Sequence, residues 1–127
     1  MIVKHVGDML FEAKDGKHIL IADAPPSMMG EDRAPIAPQH MLFALGACIG
    51  TFVSFYCEKN GIDTEGLTVT VSCDKVDNPE RFSNFKATLH FPKSDFNGRE
   101  EAIIRVAEKC LVGATMEQPT KIHIELK

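Results

Sequence analysis

The sequence predicts an α+β domain, and three observations carry that prediction. A three- and four-residue apolar period runs from Gln39 to Tyr56. Two later segments alternate strictly between apolar and polar residues, and a second helical period begins beyond Asn97. Read in order, the elements run β-β-α-β-β-α-β. The 127 residues, 44% hydrophobic and 25% charged, fit one domain over 1–127 with a core that needs no disulfide staples.

Each element has a local reason. Ile2–Ala13 mixes apolar and polar residues and reads as the first strand. Asp15-Gly16 follows as a tight hairpin turn, and His18–Ala22, short and rich in Ile, is the second strand. Residues 23–38, punctuated by Pro25, Pro26, Pro35 and Pro38, read as an ordered but irregular loop, long enough to suggest a role in function. Pro38 suits the first turn of a helix, where its missing N–H is no loss. Met41, Leu42, Leu45, Cys48, Ile49, Phe52, Val53 and Tyr56 then mark the inward face of a long, mostly buried helix, which Asn60-Gly61 stops. Leu67–Cys73 places Leu67, Val69, Val71 and Cys73 on one face. Phe85–Phe91 does the same with Phe85, Ala87, Leu89 and Phe91, so these are half-buried antiparallel strands joined by a charged loop. Asn97 and Glu100 resemble a capping box that opens a second helix with Ile103, Val106, Ala107, Cys110 and Leu111 inward. Ile122, Ile124 and Leu126 form a last strand.

Composition excludes several classes of function. The net charge is −4, from 14 Lys and Arg against 18 Asp and Glu, and no basic run occurs. Nucleic acid and anionic membranes, which need clustered positive charge, are not expected partners. The longest unbroken apolar stretch, Met41–Ile49, is short for a membrane span, and the first residues lack the pattern of a signal peptide. The expected address is the cytosol.

Four cysteines in a reducing compartment are packing, metal ligands or reactive thiols. Cys48 and Cys57 are nine residues apart, half a turn out of phase on a helix, and the chain has no CxxC or CxxH spacing. No metal site is expected. Cys57 and Cys73 read as core residues. Cys48 and Cys110 each lie on an inward helical face with small neighbours, Gly46, Ala47 and Gly50 around the one and Gly113 and Ala114 after the other. The pattern alone leaves two readings open, a pair of core cysteines or a pair of thiols brought together. Neither sits at a predicted helix N-terminus, so a reactive Cys48 is expected to need a cation from elsewhere in the fold or from a second subunit.

Gly30-Glu31-Asp32-Arg33-Ala34-Pro35, followed by Pro38, Leu42 and Ala44-Leu45-Gly46-Ala47-Cys48, resembles the signature of the OsmC/Ohr family of osmotically inducible and organic hydroperoxide resistance proteins. A late cysteine, usually in a C-P-x-S-like run, is the family's second mark, and here it is Cys110-Leu111-Val112-Gly113. The resemblance implies an OsmC-like fold, an intertwined homodimer with a long central Cys-bearing helix, and reduction of organic hydroperoxides without a cofactor. It casts Cys48 as the attacking thiolate that becomes a sulfenic acid and Cys110 as the resolving thiol that closes a disulfide. A dithiol reductant, dihydrolipoamide-like or thioredoxin-like, would restore both.

Two positions depart from the pattern. The family's Glu before the first cysteine is missing from Ala37-Pro38-Gln39-His40, and Lys14-Asp15-Gly16 stands where Arg-Asp-Gly is expected. Arg33 is the substitute cation to consider, Gln39 its orienting partner and Lys14 a second source of charge; each also reads as a solvated surface residue. His40 lies two turns from Cys48 and cannot be its direct base. Two other functions stay open, persulfide or thiol transfer on Cys48, and a non-catalytic dimer whose cleft holds an apolar ligand.

Overall fold

In the computed structural model, which describes residues 1–93, 95–118 and 120–127, the segment before the long loop is three strands rather than two. β1 (Ile2–Gly7), β2 (Leu10–Asp15) and β3 (His18–Ala22) form an antiparallel meander. Asp15 pairs with His18 across a two-residue turn in which Gly16 takes φ +58°, as the Asp15-Gly16 dipeptide predicts. The sequence reading missed the first turn, where Gly7 pairs with Leu10 and Asp8 itself takes φ +48°. Gly precedes Asp there, the reverse of the usual hairpin signal, and an irregularity between His5 and Gly7 blurs the alternation.

This meander belongs to the first of two compact units, Met1–Leu42. Its fully buried residues among those described are Ala13, Asp23 and Ala34, while Ile2, Val3, Val6, Phe11, Ile19, Leu20 and Ile21 stay exposed. The long loop is ordered, as expected. A single 3₁₀ turn, Pro26–Met28, is closed by bonds from Met28 and Gly30 N–H to the Pro25 carbonyl at 2.8 and 3.1 Å. Its two ends meet where the Asp32 N–H donates to the Ala24 carbonyl. That closure leaves no room at Gly30, where a Cβ would lie 1.8 Å from the Ala24 oxygen.

The second unit, Phe43–Lys127, holds the main core. Most of α1 (Ala37–Lys59), the hairpin β4 (Thr68–Asp77) and β5 (Glu80–His90), and two short helices build it. Leu45, Ile49, Val53 and Cys57, four residues apart, form the buried ridge of α1, joined by Ile62, Ile103 and Cys110. Gly46 and Gly50 let the helix approach β4, since a Cβ at Gly46 would come within 3.1 Å of Val71 and one at Gly50 within 3.5 Å of Val69. The stop at Asn60-Gly61 has full Schellman geometry. Gly61 (φ +67°) donates to the Glu58 carbonyl and Ile62 to that of Cys57, and Ile62 packs into the core behind the cap.

Several expectations need correction. α1 is not mostly buried: Met41, Phe43, Phe52 and Phe55 are exposed, because the helix is apolar nearly all round and the hairpin covers one side. The absence of charge between its apolar positions also makes it long and apolar enough to cross a membrane by length and composition alone. Its buried ridge nevertheless packs in the core of the second unit. The charged segment between the predicted strands is hairpin, with strands running to Asp77 and from Glu80, because Val76 and Phe82 continue its half-buried positions. Residues 120–127 carry no strand; Ile122, Ile124 and Leu126 are 85 to 100% exposed, so their alternation packs on nothing here. Finally, the second helix is two, α2 (Glu100–Ala107) and α3 (Leu111–Met116), broken at Cys110. Asn97 does not cap α2: its own N–H donates to Asp95, and the cap position falls at Arg99.

Gly30→Ala should therefore cost about 1–3 kcal/mol, the range for forcing atoms into a packed site. Urea unfolding reads this as a lowered midpoint at unchanged slope. An unaltered midpoint would mean that the loop opens freely.

Candidate active site

The break at Cys110 creates the site. Cys110 has extended backbone (φ −58°, ψ 123°) and caps α3: its carbonyl accepts from Ala114 N–H at 2.9 Å and its Sγ from Gly113 N–H at 3.3 Å. Cysteine acts here as serine does at an N-cap, its sulfur taking one of the unpaired N–H groups of the first turn. The turn also directs the Leu111 and Val112 N–H groups at a second sulfur, that of Cys48 on α1. The pattern-based expectation that neither cysteine lies at a helix N-terminus is thus overturned, because the apolar period ran through Cys110 unbroken and hid the bend.

The two thiols differ in consequence. Burial pushes the Cys48 thiol up, but the Cys110 thiol and the Val112 and Leu111 N–H groups all hydrogen-bond its sulfur and bring it below the ordinary thiol value. Together the three donors outweigh desolvation of a half-buried sulfur. Each of these three donors is a neutral group. Cys110 is shifted the other way, by burial first and then by its bond to Cys48, with the Gly113 N–H opposing in part. The arrangement favours the anion at Cys48 more than an ordinary thiol and at Cys110 less.

An apolar cavity of about 380 Å³ adjoins Cys110, walled by Leu45, Phe85, Leu89 and Met116. Ala87, expected to point into the core, is exposed and lines it as well. Cys57 is fully buried and its thiol is pushed up by burial, as a packing residue should be; Cys73 is half-buried on β4. Among the described residues no three His, Cys, Asp or Glu side chains gather as a metal-binding group.

The other candidates lie in the first unit. Arg33 is held by acids: its Nε donates to Asp23 at 2.8 Å, and its Nη1 meets Asp8 at 3.3 Å and Glu31 at 3.4 Å. Asp23, which the sequence reading did not single out, is the one buried charged residue among those described, and it also accepts the Ala24 and Arg33 N–H groups. The Arg33 guanidinium holds its carboxyl down at about 2, against burial that pushes it up. Gln39 lies in the first turn of α1 and turns back on the residue before it, its Oε1 accepting the Ile36 N–H at 3.0 Å. Lys14 is exposed and paired with Glu12 on its own strand, and His40 bonds the Ile21 carbonyl.

Two expected outcomes follow from these shifts. Alkylation of Cys48, mapped by peptide mass against pH, should show a midpoint below that of an ordinary cysteine, and Cys110→Ala should raise it. A midpoint indifferent to Cys110→Ala would remove the thiol donor from the account. For Asp23 the folded value is the depressed one, 3.8 falling to about 2, so its contribution is full above about pH 4 and lost as pH falls through 2. The Arg33 amide should lose its exchange protection over that window, and Asp23→Asn should abolish the transition.

Comparison with known proteins agrees with the architecture. The family model described as OsmC-like protein matches residues 30–125. A Psychrobacter arcticus protein named for osmotic stress and detoxification response is similar in structure at TM-score 0.79 and 22% identity, over 90% of this chain and 85% of that one. An organic hydroperoxide resistance protein OsmC from Legionella pneumophila, also described as a redox protein, is similar at TM-score 0.62 and 22% identity, over 91% and 88%. An OsmC-like hydroperoxide resistance protein from Jannaschia sp. is similar at TM-score 0.57 and 21% identity, over 98% and 89%. None of the curated proteins matches. With an α+β fold shared across most of each chain and a family model spanning the later part of the long loop and both paired cysteines, this chain belongs to the OsmC-like protein family.

Proposed function

We propose that this protein reduces organic hydroperoxides with Cys48 as the attacking thiolate and Cys110 as the resolving thiol. The observation that carries the reading is the hydrogen-bonded pair itself, one sulfur favoured as thiolate by three donors and the other keeping its proton. The thiolate attacks one peroxide oxygen, the O–O bond breaks, and the other oxygen leaves with a proton as the alcohol. The sulfenic acid on Cys48 then condenses with the Cys110 thiol, forming the disulfide and releasing water. A dithiol reductant returns both sulfurs to the starting state. The similar proteins from Legionella and Jannaschia carry hydroperoxide resistance in their names, which supports the choice of substrate.

The working unit in this reading is a homodimer in the cytosol. Support comes from apolar surface that one chain leaves open: the β1–β3 meander, the Phe43 and Phe55 side of α1, and the alternating Ile122, Ile124 and Leu126. A three-stranded sheet with almost no core of its own needs a covering partner. Cys48 activation rests on the α3 amides and Cys110, with Arg33, Gln39 and Lys14 in supporting places outside that hydrogen-bond set.

One equivalent of cumene hydroperoxide followed by intact-protein mass provides the test. A loss of about 2 Da is expected for the native chain, and none for Cys48→Ser or Cys110→Ser (two hydrogens leave when a disulfide closes). Two unmodified thiols after treatment with a series of alkyl hydroperoxides would overturn the proposal.

A further inference from the structure

Two thiols that share a hydrogen bond are also a pair of soft donors. The Cys110 thiol bonds the Cys48 sulfur, so the two Sγ atoms, one on α1 and one at the cap of α3, sit side by side. Backbone N–H groups meet both of them: Gly113 donates to Cys110 at 3.3 Å, and Leu111 and Val112 donate to Cys48. The surroundings are otherwise apolar, with Leu45, Ile49 and Ile103 in the same cluster. Among the described residues no third His, Cys, Asp or Glu joins the pair as a metal-binding group. That set of donors is selective. Zinc requires a full tetrahedral set, and calcium or magnesium a cage of oxygens. Cuprous copper prefers sulfur ligands, and two thiolates in a line complete its coordination.

We infer that Cys48 and Cys110 together form a two-coordinate site for Cu(I), held between the sulfur on α1 and the sulfur at the cap of α3. Cys48, half-buried, meets an incoming copper complex first, and Cys110, 1% exposed, closes the site from within. Both thiols give up their protons to solvent, and two Cu–S bonds replace two S–H bonds. No electron is transferred, so copper enters and leaves as Cu(I). The linear unit carries one net negative charge, which hydrogen bonds from the Leu111, Val112 and Gly113 amides favour on both sulfurs. The inference goes beyond the peroxidase reading and does not need it. With both sulfurs on copper neither is free to attack a peroxide, so the two activities compete for one pair.

The test is anaerobic, with the reduced chain titrated into the coloured Cu(I) complex of bathocuproine disulfonate. The native chain should withdraw about one Cu(I) per molecule, because only one paired set of thiols is present. Cys48→Ser and Cys110→Ser should each weaken binding by more than about 100-fold, the upper end of what losing a partner outside the ligand shell costs. Cys73→Ser should bind as the native chain does. X-ray absorption of the loaded native chain, which needs no variant to fold, should find sulfur as the whole ligand shell, and alkylation with peptide mapping should find Cys48 protected and Cys73 labelled as before. Failure to compete with bathocuproine, retention of copper by either serine variant, or nitrogen or oxygen in the shell would overturn the inference. A chain that takes up copper but is inert to hydroperoxides refutes the peroxidase reading alone, and one that reduces hydroperoxides without taking up copper refutes this inference alone.

Discussion

The hydrogen bonds from Leu111 and Val112 N–H to Cys48 exist because the chain abandons helical geometry for one residue, Cys110. Had α2 run on through Cys110, these N–H groups would have closed bonds to carbonyls one turn earlier and had nothing left to offer a sulfur. The break frees the first-turn donors of α3, and Cys110 takes one while Cys48 takes two. Everything asymmetric about the pair follows from that division. Cys48 gains donors that favour the anion, while Cys110 gains burial and an anionic neighbour that favour the neutral thiol. Fixed amides also need no reorganisation when charge develops, which is what makes oriented backbone donors effective in catalysis.

Those donors would miss their target if α1 were displaced, so its packing matters as much as the bend. Gly46 and Gly50 flank Cys48 and are where the helix meets Val71 and Val69. Small residues there let the helix lie close to the strand, and Leu45, Ile49, Val53 and Cys57 complete the ridge that locks its rotation. Burying side chains of this size contributes about 1.5–3 kcal/mol each for Val, Ile and Leu, enough to set the helix register. The Schellman stop at Gly61 ties the far end, since Ile62 enters the same core as Cys57.

How legible this was depended on whether a period or an exception carried the information. The long helix, its Asn60-Gly61 stop, the Asp15-Gly16 turn and the two alternating strands all follow simple periods or known dipeptides, and each element is present where the sequence placed it, though Ala87 and part of the helix's predicted inward face are exposed. The first hairpin turn and the hairpin extension to Asp77 were hidden because Gly7-Asp8 and the charged stretch resemble neither pattern. At the site, Cys48 and Cys110 were marked by small neighbours and family motif, but not the bend between α2 and α3. The family's usual Pro after the second cysteine would have signalled a helix start, since Pro favours the first helical position. Leu111 occupies that place here, and it continues the apolar period while pointing outward. Asp23 was invisible for another reason: burial of a single carboxylate is a tertiary event, set by a loop that returns Arg33 to it ten residues later.

That loop bears on why neutral donors matter in this chain. Arg33 stood out as the cation that could replace a missing family arginine, yet its guanidinium satisfies a carboxylate whose side chain is entirely buried. Drawing Arg33 to a thiolate would leave Asp23 charged and unpaired in the interior, or force it to take up a proton far above the pH at which it titrates when paired. Either outcome opposes the move. The loop-closing Asp32 to Ala24 bond and the crowded approach at Gly30 oppose it further, because they fix the backbone on both sides of the guanidinium. Within the second unit, the groups that lower the Cys48 thiol are the Cys110 thiol and the Leu111 and Val112 N–H groups, which carry no formal charge. Such a thiolate depends on backbone geometry more than on ionic strength, and its reactivity is bound to the same helix break that brings Cys110 beside it.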